Sequence, residues 1–184
     1  MPLNTIPLPF GLRDVKLTPY TDATATVLGT PSVDLPNGRT LGFEEEEAFE
    51  DLRGDDRLVA SHGSGPQVNW TLEGGGISFE AGQVMYGGTI STTGSTPNQV
   101  KTWRKLVTDV RPYFRIQGQA ISDSGGDVWA VIYRAKATDN LTGEFGDGQF
   151  FLTGASGTGY ASLVASELDR VWDFVQHETA VAIP

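Results

Sequence analysis

The densest group of side chains with chemical potential is the acidic run Glu44, Glu45, Glu46 and Glu47. The acidic residues that follow it are Glu50, Asp51, Asp55 and Asp56. Convergent carboxylates can bind a hard cation, but the spacing here matches no calcium loop. Paired carboxylates can also hydrolyse glycosidic bonds, although nothing in the sequence singles out such a pair.

The third interpretation of the run is a solvated acidic strand, and we favour it. Alternation along a strand would place Glu44 and Glu46 on one face and Glu45 and Glu47 on the other. Because both faces would be charged, we expect one of them to meet a lumen or a partner rather than a core. The four glutamates are therefore candidates for lining a lumen.

The sequence is short of residues for nucleophilic or metal chemistry. It has no Cys and only two His, His62 and His177, and we expect His62 to be solvated and His177 to lie at the surface. GASGTG at 154–159 is similar to a phosphate-binding loop, but Tyr160 stands where that loop needs Lys. HGSG at 62–65 is best explained as a turn. We therefore expect no catalytic residues, no cofactor and no metal site.

The charge of the chain argues against tight binding of nucleic acid. The net charge is −10, whereas phosphate binding needs clustered Lys and Arg that release counterions. The middle third alone is mildly basic, with Lys101, Arg104, Lys105, Arg111 and Arg115. We interpret these cations as partners for acidic surface on a neighbouring copy of the chain.

Composition and periodicity predict a mainly β fold. Gly numbers 23 of 184 residues, well above the usual ~7%. Residues 67–73 alternate with period two, as a half-buried strand does. The turn 122–127 joins two alternating segments and predicts a hairpin. Other predicted strands are Asp14–Thr18, Ala23–Leu28, Gly42–Leu52, Gln149–Thr153 and Arg170–His177.

Helix signals are few. Ser78 is a candidate N-cap for a short helix through Met85, which Gly87 and Gly88 would end. Residues 98–110 fit a helix and a strand equally well. No apolar run is long enough to span a membrane, and the N-terminus lacks the features of a secretory signal.

Two segments of the single predicted domain (residues 1–184) are expected to lie outside its core. Residues 1–11 carry three prolines and suit an extended arm. The composition of residues 53–66 predicts a long polar loop, and such loops in compact domains are usually functional or disordered.

Several stretches together resemble one family, the major tail proteins, or tail tube proteins, of long-tailed siphovirus-type phages of actinobacterial hosts. The stretches are MPLNTIPLPFGLRDVKLTPY at 1–20, VNWTLEGGGISFEAGQVMYGGTI at 68–90, RPYFRIQGQAISDSGGDVWAVIYRAKAT at 111–138, and VWDFVQHETA at 171–180. They span nearly the whole chain, but none is diagnostic alone.

The resemblance implies a non-enzymatic virion protein with a β-sandwich or barrel-like fold and one short helix. Hexameric rings would stack into a tube through which genomic DNA passes without tight binding. Tape measure, tail tip and terminator proteins would be its other partners, with no membrane insertion. Subunit contacts would then involve residues of the arm and the loop: Pro7, Pro9, Phe10, Arg53, Asp55, Asp56, Arg57, Leu58 and Val59.

Two other classes remain open from the sequence. A carbohydrate- or receptor-binding β-sandwich module would be monomeric and would expose aromatic side chains in a row. A glycosidase using the acidic run is the third possibility. Tubes or rings in electron micrographs would support the tail tube interpretation alone.

Overall fold

A computed structural model describes residues 6–142, 146–148 and 152–184. Its elements are β1 (Pro9–Pro19), β2 (Val33–Asp34), β3 (Gly38–Glu46), β4 (Phe49–Gly54), β5 (Arg57–Gly63), β6 (Gln67–Gly75), α1 (Phe79–Tyr86), β7 (Thr89–Thr93), β8 (Val100–Arg104), β9 (Phe114–Ser122), β10 (Asp127–Ala137), β11 (Leu152–Gly159), a 3-10 turn (Ala165–Glu167) and β12 (Trp172–His177). The protein is mainly β with one short α-helix, as the sequence predicts.

The long strand β10 organises the main sheet. The antiparallel order is β2, β1, β9, β10, β11, β6, β3, and β12 also pairs with β10. On the side of β10 away from β9, β12 lies beside Asp127–Ile132, while β11 lies beside Ala135–Ala137. Two strands therefore share one side of β10, and the sheet divides there.

The two parts of the divided sheet pack against each other. Leu41 of β3 lies so close to Gly118 of β9 that a Cβ on this glycine would overlap the leucine side chain. A Cβ at Gly38 would lie 3.2 Å from Cγ2 of Val15 in β1. Because β3 folds back over β1 and β9, the fold is sandwich-like.

The core lies between these layers. Trp70 of β6 and Phe114 of β9 meet edge to face, with ring centroids 5.6 Å apart at 78°. Both side chains are essentially inaccessible to solvent. Truncating a buried aromatic to Ala typically costs about 3–5 kcal/mol, so we expect replacement of either residue by Ala to destabilise the fold by about this amount.

The predicted helix is confirmed as α1. The Ser78 hydroxyl accepts a hydrogen bond from the Ala81 N–H at 3.2 Å, as an N-cap does. Gly87 ends the helix with φ 79°, and its N–H donates to the carbonyl of Gln83. α1 buries Val84, Met85 and Tyr86 against the core.

The predicted hairpin around residues 122–127 is also confirmed. β9 ends at Ser122 and β10 begins at Asp127, and the Ser122 N–H donates to the Gly126 carbonyl. Gly125 and Gly126 supply the positive φ angles that the turn needs. The alternating segment 67–73 lies within β6.

Other strand predictions have mixed outcomes. Residues 14–18 lie in β1, and most of 170–177 forms β12, but 149–151 fall outside the described residues. The strand predicted over 23–28 is wrong, since only Leu28 bridges to Tyr20. Asp22 holds this segment as a turn by accepting the N–H groups of Thr26 and Val27. The predicted strand 42–52 is broken after Glu46, and within 98–110 only Val100–Arg104 is a strand.

The prediction of a long irregular loop at 53–66 is wrong. β4 and β5 form a hairpin in which Gly54 pairs with Arg57, so only Asp55 and Asp56 form the turn. Their φ angles are 50° and 60°, and Asp is among the few non-glycine residues that tolerate this region. The polar composition and the glycines after the hairpin concealed the strand pairing.

Candidate functional site

The acidic run forms the outer strand of the main sheet and does not converge into a cage. Glu44 and Glu46 lie opposite Asn69 and Gln67, and Glu45 lies opposite the buried Val68. The alternation that the sequence predicts therefore holds for Glu44, Glu45 and Glu46. Within the described ranges there is no group of three or more His, Asp or Glu residues that could hold a metal ion.

The four glutamates have different surroundings. Glu46 accepts hydrogen bonds from the side-chain amides of Gln67 at 3.2 Å and Asn69 at 2.8 Å. Glu45, on the other face, accepts one from the indole N–H of Trp172 at 2.5 Å. Glu47 lies past the end of β3 and is half-buried. Only Glu44 and Glu46 therefore share an exposed polar face, while Glu45 is committed to β12.

This polar face extends across four strands. One cross-strand row contains Glu44 of β3, Asn69 of β6, Thr158 of β11 and Lys136 of β10, each directly opposite the next. Three inter-strand steps of about 4.8 Å separate the ends of the row. We call the face that carries this row the polar sheet face. Its side chains are Glu44, Glu46, Gln67, Asn69, Thr71, Ser156, Thr158, Arg134 and Lys136.

Cations and tyrosines form the β10 end of the polar sheet face. The Arg134 guanidinium lies 5.6 Å from the ring centroids of both Tyr113 and Tyr160, and Lys136 Nζ lies 4.7 Å from that of Tyr113. Arg111 donates hydrogen bonds to the carbonyls of Ala137 and Asp139. None of these three cations forms an ion pair within residues 6–142, 146–148 and 152–184. We call Arg111, Arg134 and Lys136 with the two tyrosines the basic rim.

The β4–β5 hairpin extends from the body of the protein. Every residue from 49 to 62 is exposed. The large apolar side chains among them are Phe49, Leu52, Leu58 and Val59, which are 64, 63, 57 and 63% exposed. An isolated two-stranded hairpin is at best marginally stable in water, so these side chains suit burial against a partner.

The contact residues predicted within 53–66 all lie on this hairpin. Arg53, Arg57, Leu58 and Val59 are exposed strand residues, and Asp55 and Asp56 form its turn. Arg53 lies 4.0 Å from Asp51 in an exposed ion pair, which contributes little to stability. His62 is an exposed strand residue rather than part of a loop.

The N-terminal arm differs in part from its prediction. Residues 1–5 fall outside the described residues, and Pro9 and Phe10 belong to β1, where they pair with Ser122 and Ile121. The Leu8 N–H donates to the Ser122 hydroxyl at 2.9 Å. The backbone of the arm is therefore hydrogen-bonded to its own subunit, at the end of β9.

The side chains of this arm point outward. Ile6, Leu8 and Phe10 are 79, 61 and 79% exposed, and Pro7 is half-buried between them. Residues spaced by two in extended chain share a face. The arm therefore presents an apolar stripe, defined by these three side chains, to whatever lies outside the subunit.

An aromatic cluster between β3 and β12 is absent from the sequence-based expectations. Phe174 lies 5.3 Å, centroid to centroid, from both Phe43 and Trp172. Phe174, Phe43 and Trp172 are 55, 40 and 38% exposed. Phe43 and Phe174 border an apolar groove of about 170 Å³ whose lining includes Gly118 and Ala130. The two aromatic strands meet only through tertiary folding, so no local pattern predicts this cluster.

A buried polar network anchors the C-terminal segment. Asp127 is fully buried, and it accepts hydrogen bonds from Gln119, from the Trp129 indole at 2.9 Å and from the Val181 N–H at 3.0 Å. His177 Nδ1 lies 2.7 Å from its Oδ1. His177 therefore ends β12 with a half-buried side chain, at the surface as predicted, and it is also a structural partner of Asp127.

Comparisons with known proteins identify no family. No protein-family model matches the chain, and no curated protein matches it. In the part of the chain that the structure describes, no helix is both long and apolar enough to cross a bilayer.

Proposed function

We propose that this chain is a structural subunit that assembles with copies of itself into stacked rings, forming a phage-type tail tube through which genomic DNA passes. The observation that carries this proposal is the β4–β5 hairpin, whose four large apolar side chains are left uncovered by their own subunit. Four large apolar side chains exposed on one hairpin exceed the scattered single residues that are normal on a monomer, and such surface usually marks an interaction site. The apolar stripe of the arm adds a second such surface.

The polar sheet face suits the wall of a channel for DNA. Glu44 and Glu46 would be its lumen-facing carboxylates, with Asn69 and Thr158 between them and the basic rim. This face is balanced in charge, because Arg134 and Lys136 offset the two carboxylates, and the net charge of −10 on the whole subunit opposes tight binding of DNA. Glu45 does not belong to this wall, because it is hydrogen-bonded to Trp172 on the opposite face.

Closure into rings would also protect the outer strands. Within the described residues, β3 pairs with another strand on one side only, and so does β12. Unpaired edges invite uncontrolled aggregation unless they are covered, and a closed ring of subunits covers them in a defined way. The resemblance further suggests tape measure, tail tip and terminator proteins as the remaining partners in the virion.

Negative-stain electron microscopy over a concentration series tests this proposal. We expect rings or tubes of uniform diameter to appear as concentration rises. Monomeric particles at every concentration up to the millimolar range would contradict it.

A second candidate function rests on the aromatic cluster. Phe43, Trp172 and Phe174 are partly exposed, and two of them border an apolar groove. A sugar ring or an apolar receptor segment could stack on such a surface. In that case the chain would remain monomeric, and Trp172 fluorescence would respond to glycans. A Trp172→Ala variant that loses glycan binding in an otherwise monomeric protein would favour this function over the tube.

A further inference from the structure

The polar sheet face has opposite charges at its two ends. Glu44 on the outer strand β3 is exposed, and it has no hydrogen-bond or ion-pair partner among the residues that the structure describes. Lys136 stands three strands away in the same row, and it too lacks an ion pair there. Asn69 and Thr158 lie between them and carry no charge. The face is therefore acidic at one end and basic at the other.

The basic rim is built to hold its cations ready for an anionic partner. Arg134 is fixed between two tyrosine rings, and Lys136 stacks on one of them. Such stacking orients a cation without neutralising its charge.

The basic rim also lies where β10 extends past the end of its neighbouring strand β9. β9 pairs with β10 only as far as Ala135 opposite Phe114. Beyond that point the Arg111 side chain, and not a strand, donates to the carbonyl of Ala137 at 2.9 Å. The four-strand group β3, β6, β11 and the end of β10 therefore has an open side at each end, one acidic and one basic.

We infer that the acidic end of the polar sheet face, at Glu44 and Glu46, docks head to tail on the basic rim of the next copy of this chain. The partner is a second copy because the two surfaces are complementary in charge, lie at opposite ends of one face and are both unneutralised within the subunit. Contacts between unlike patches of identical subunits generate rings when the rotation closes. Complementary charge at such a contact sets its direction and its register.

This inference rests on the proposed assembly and deepens it by naming which surfaces meet. Glu44 and Glu46 then lie on the channel wall at the seam between two subunits, where the basic rim of the neighbour offsets their charge. The basic residues expected from the sequence to serve this role differ from those of the basic rim. Lys101 pairs with Glu80, and Arg115 pairs with Glu167, inside the subunit. Of the cations that the sequence suggested, Arg111 is the one that lies in the basic rim.

Charge reversal in both directions tests the inference. The variants are Glu44→Lys and Lys136→Glu, and the measured quantity is the critical concentration for tube formation by light scattering and electron microscopy. Like charges facing each other at an interface cost enough to raise this concentration by at least about tenfold. Asp123→Lys and Arg104→Glu are the matched controls, because they make the same charge changes at exposed positions outside the polar sheet face. We expect the controls to stay within about threefold of wild type.

Mixing the two variants gives the decisive result. In a mixture, the reversed acidic end of Glu44→Lys matches the reversed basic rim of Lys136→Glu, and the unchanged ends match as in wild type. The critical concentration of the mixture should therefore return to within about threefold of wild type. A local folding defect would not recover on mixing, and thermal melts of each variant establish that it is folded. Rising salt should weaken wild-type assembly, since these charges are solvent-accessible before contact.

The outcomes separate this inference from the proposed function. If wild type forms tubes and both reversed variants assemble at its critical concentration, the inference is overturned while the tube proposal stands. The inference is also overturned if the controls raise the critical concentration as much as the reversed variants do, or if mixing the variants does not lower it. If wild type forms no tube at any concentration, both fail together.

Discussion

The Nδ1 atom of His177 lies 2.7 Å from Oδ1 of Asp127, a carboxylate with no exposed surface. Asp127 begins β10 and His177 ends β12, so this contact ties the first residue of the central strand to the last strand of the chain. Val181, four residues further on, donates its N–H to the other carboxylate oxygen at 3.0 Å. The network therefore fixes the C-terminal segment to the sandwich.

Replacing Asp127 by Asn should destabilise the protein. The substituted amide would place N–H donors against the groups that now donate to Asp127. Disrupting such a buried network typically costs about 2–4 kcal/mol, which urea denaturation would measure. Asp123→Asn, at an exposed turn position, is the control and should stay within about 0.5 kcal/mol of wild type. Equal stability of the two variants would show that the network contributes little.

The same carboxylate predicts how stability depends on pH. Burial alone would raise the pKa of Asp127, but hydrogen bonds from Gln119, the Val181 N–H, Trp129 and His177 outweigh it and hold the pKa below its ordinary value of 3.8. A depressed pKa contributes stability above the unfolded-state value, and this contribution is lost as pH falls. Between pH 6 and pH 2, wild type should lose more free energy of unfolding than Asp127→Asn does. Parallel pH profiles would contradict this assignment.

The hairpin predicts a separation between folding and assembly. Leu52→Asp places a charge on an exposed apolar position of β4, so the melting temperature should change by no more than about 3 °C. Assembly should weaken at least tenfold, because a charge would have to be buried at the contact. Val107→Asp makes the same kind of change at an exposed apolar position outside the hairpin and the arm, and this control should assemble normally. A large loss of thermal stability in Leu52→Asp would place this side chain in the subunit's own core.

The N-terminal stripe gives a parallel prediction. Changing Ile6, Leu8 and Phe10 together to Ser should leave the melting temperature nearly unchanged, because these side chains are mostly exposed while the backbone contacts to Ser122 remain. Tube formation should decline, as measured by sedimentation. Normal sedimentation of the triple variant would remove the arm from the set of subunit contacts.

Sequence reasoning succeeded where the signal is local. The Ser78 cap, the Gly87 terminus and the glycine turn after Ser122 each depend on neighbouring residues, and the alternation in β6 follows from one-sided burial. The β4–β5 hairpin was not predicted, because its turn is Asp55-Asp56 without glycine. Both of its faces are also exposed, so burial imposes no alternation of apolar and polar residues.

The site could be predicted only in part. Alternation correctly assigned Glu44 and Glu46 to one face, since that depends on strand geometry alone. The basic rim could not be predicted, because Tyr113, Arg134 and Tyr160 converge from separate segments through the pairing of β10 with β9 and with β11. The role of Asp127 could not be predicted either, because its hydrogen-bond donors come from β9, β12 and the C-terminal segment as well as from its own strand.

Cryo-electron microscopy of assembled wild-type protein tests the central claim most directly. We predict hollow tubes of stacked rings in which Glu44 and Asn69 face the channel, and the β4–β5 hairpin is buried against another subunit. A solid filament, a tube whose channel is lined by the opposite face of the sheet, or a protein that stays monomeric would contradict the tube proposal.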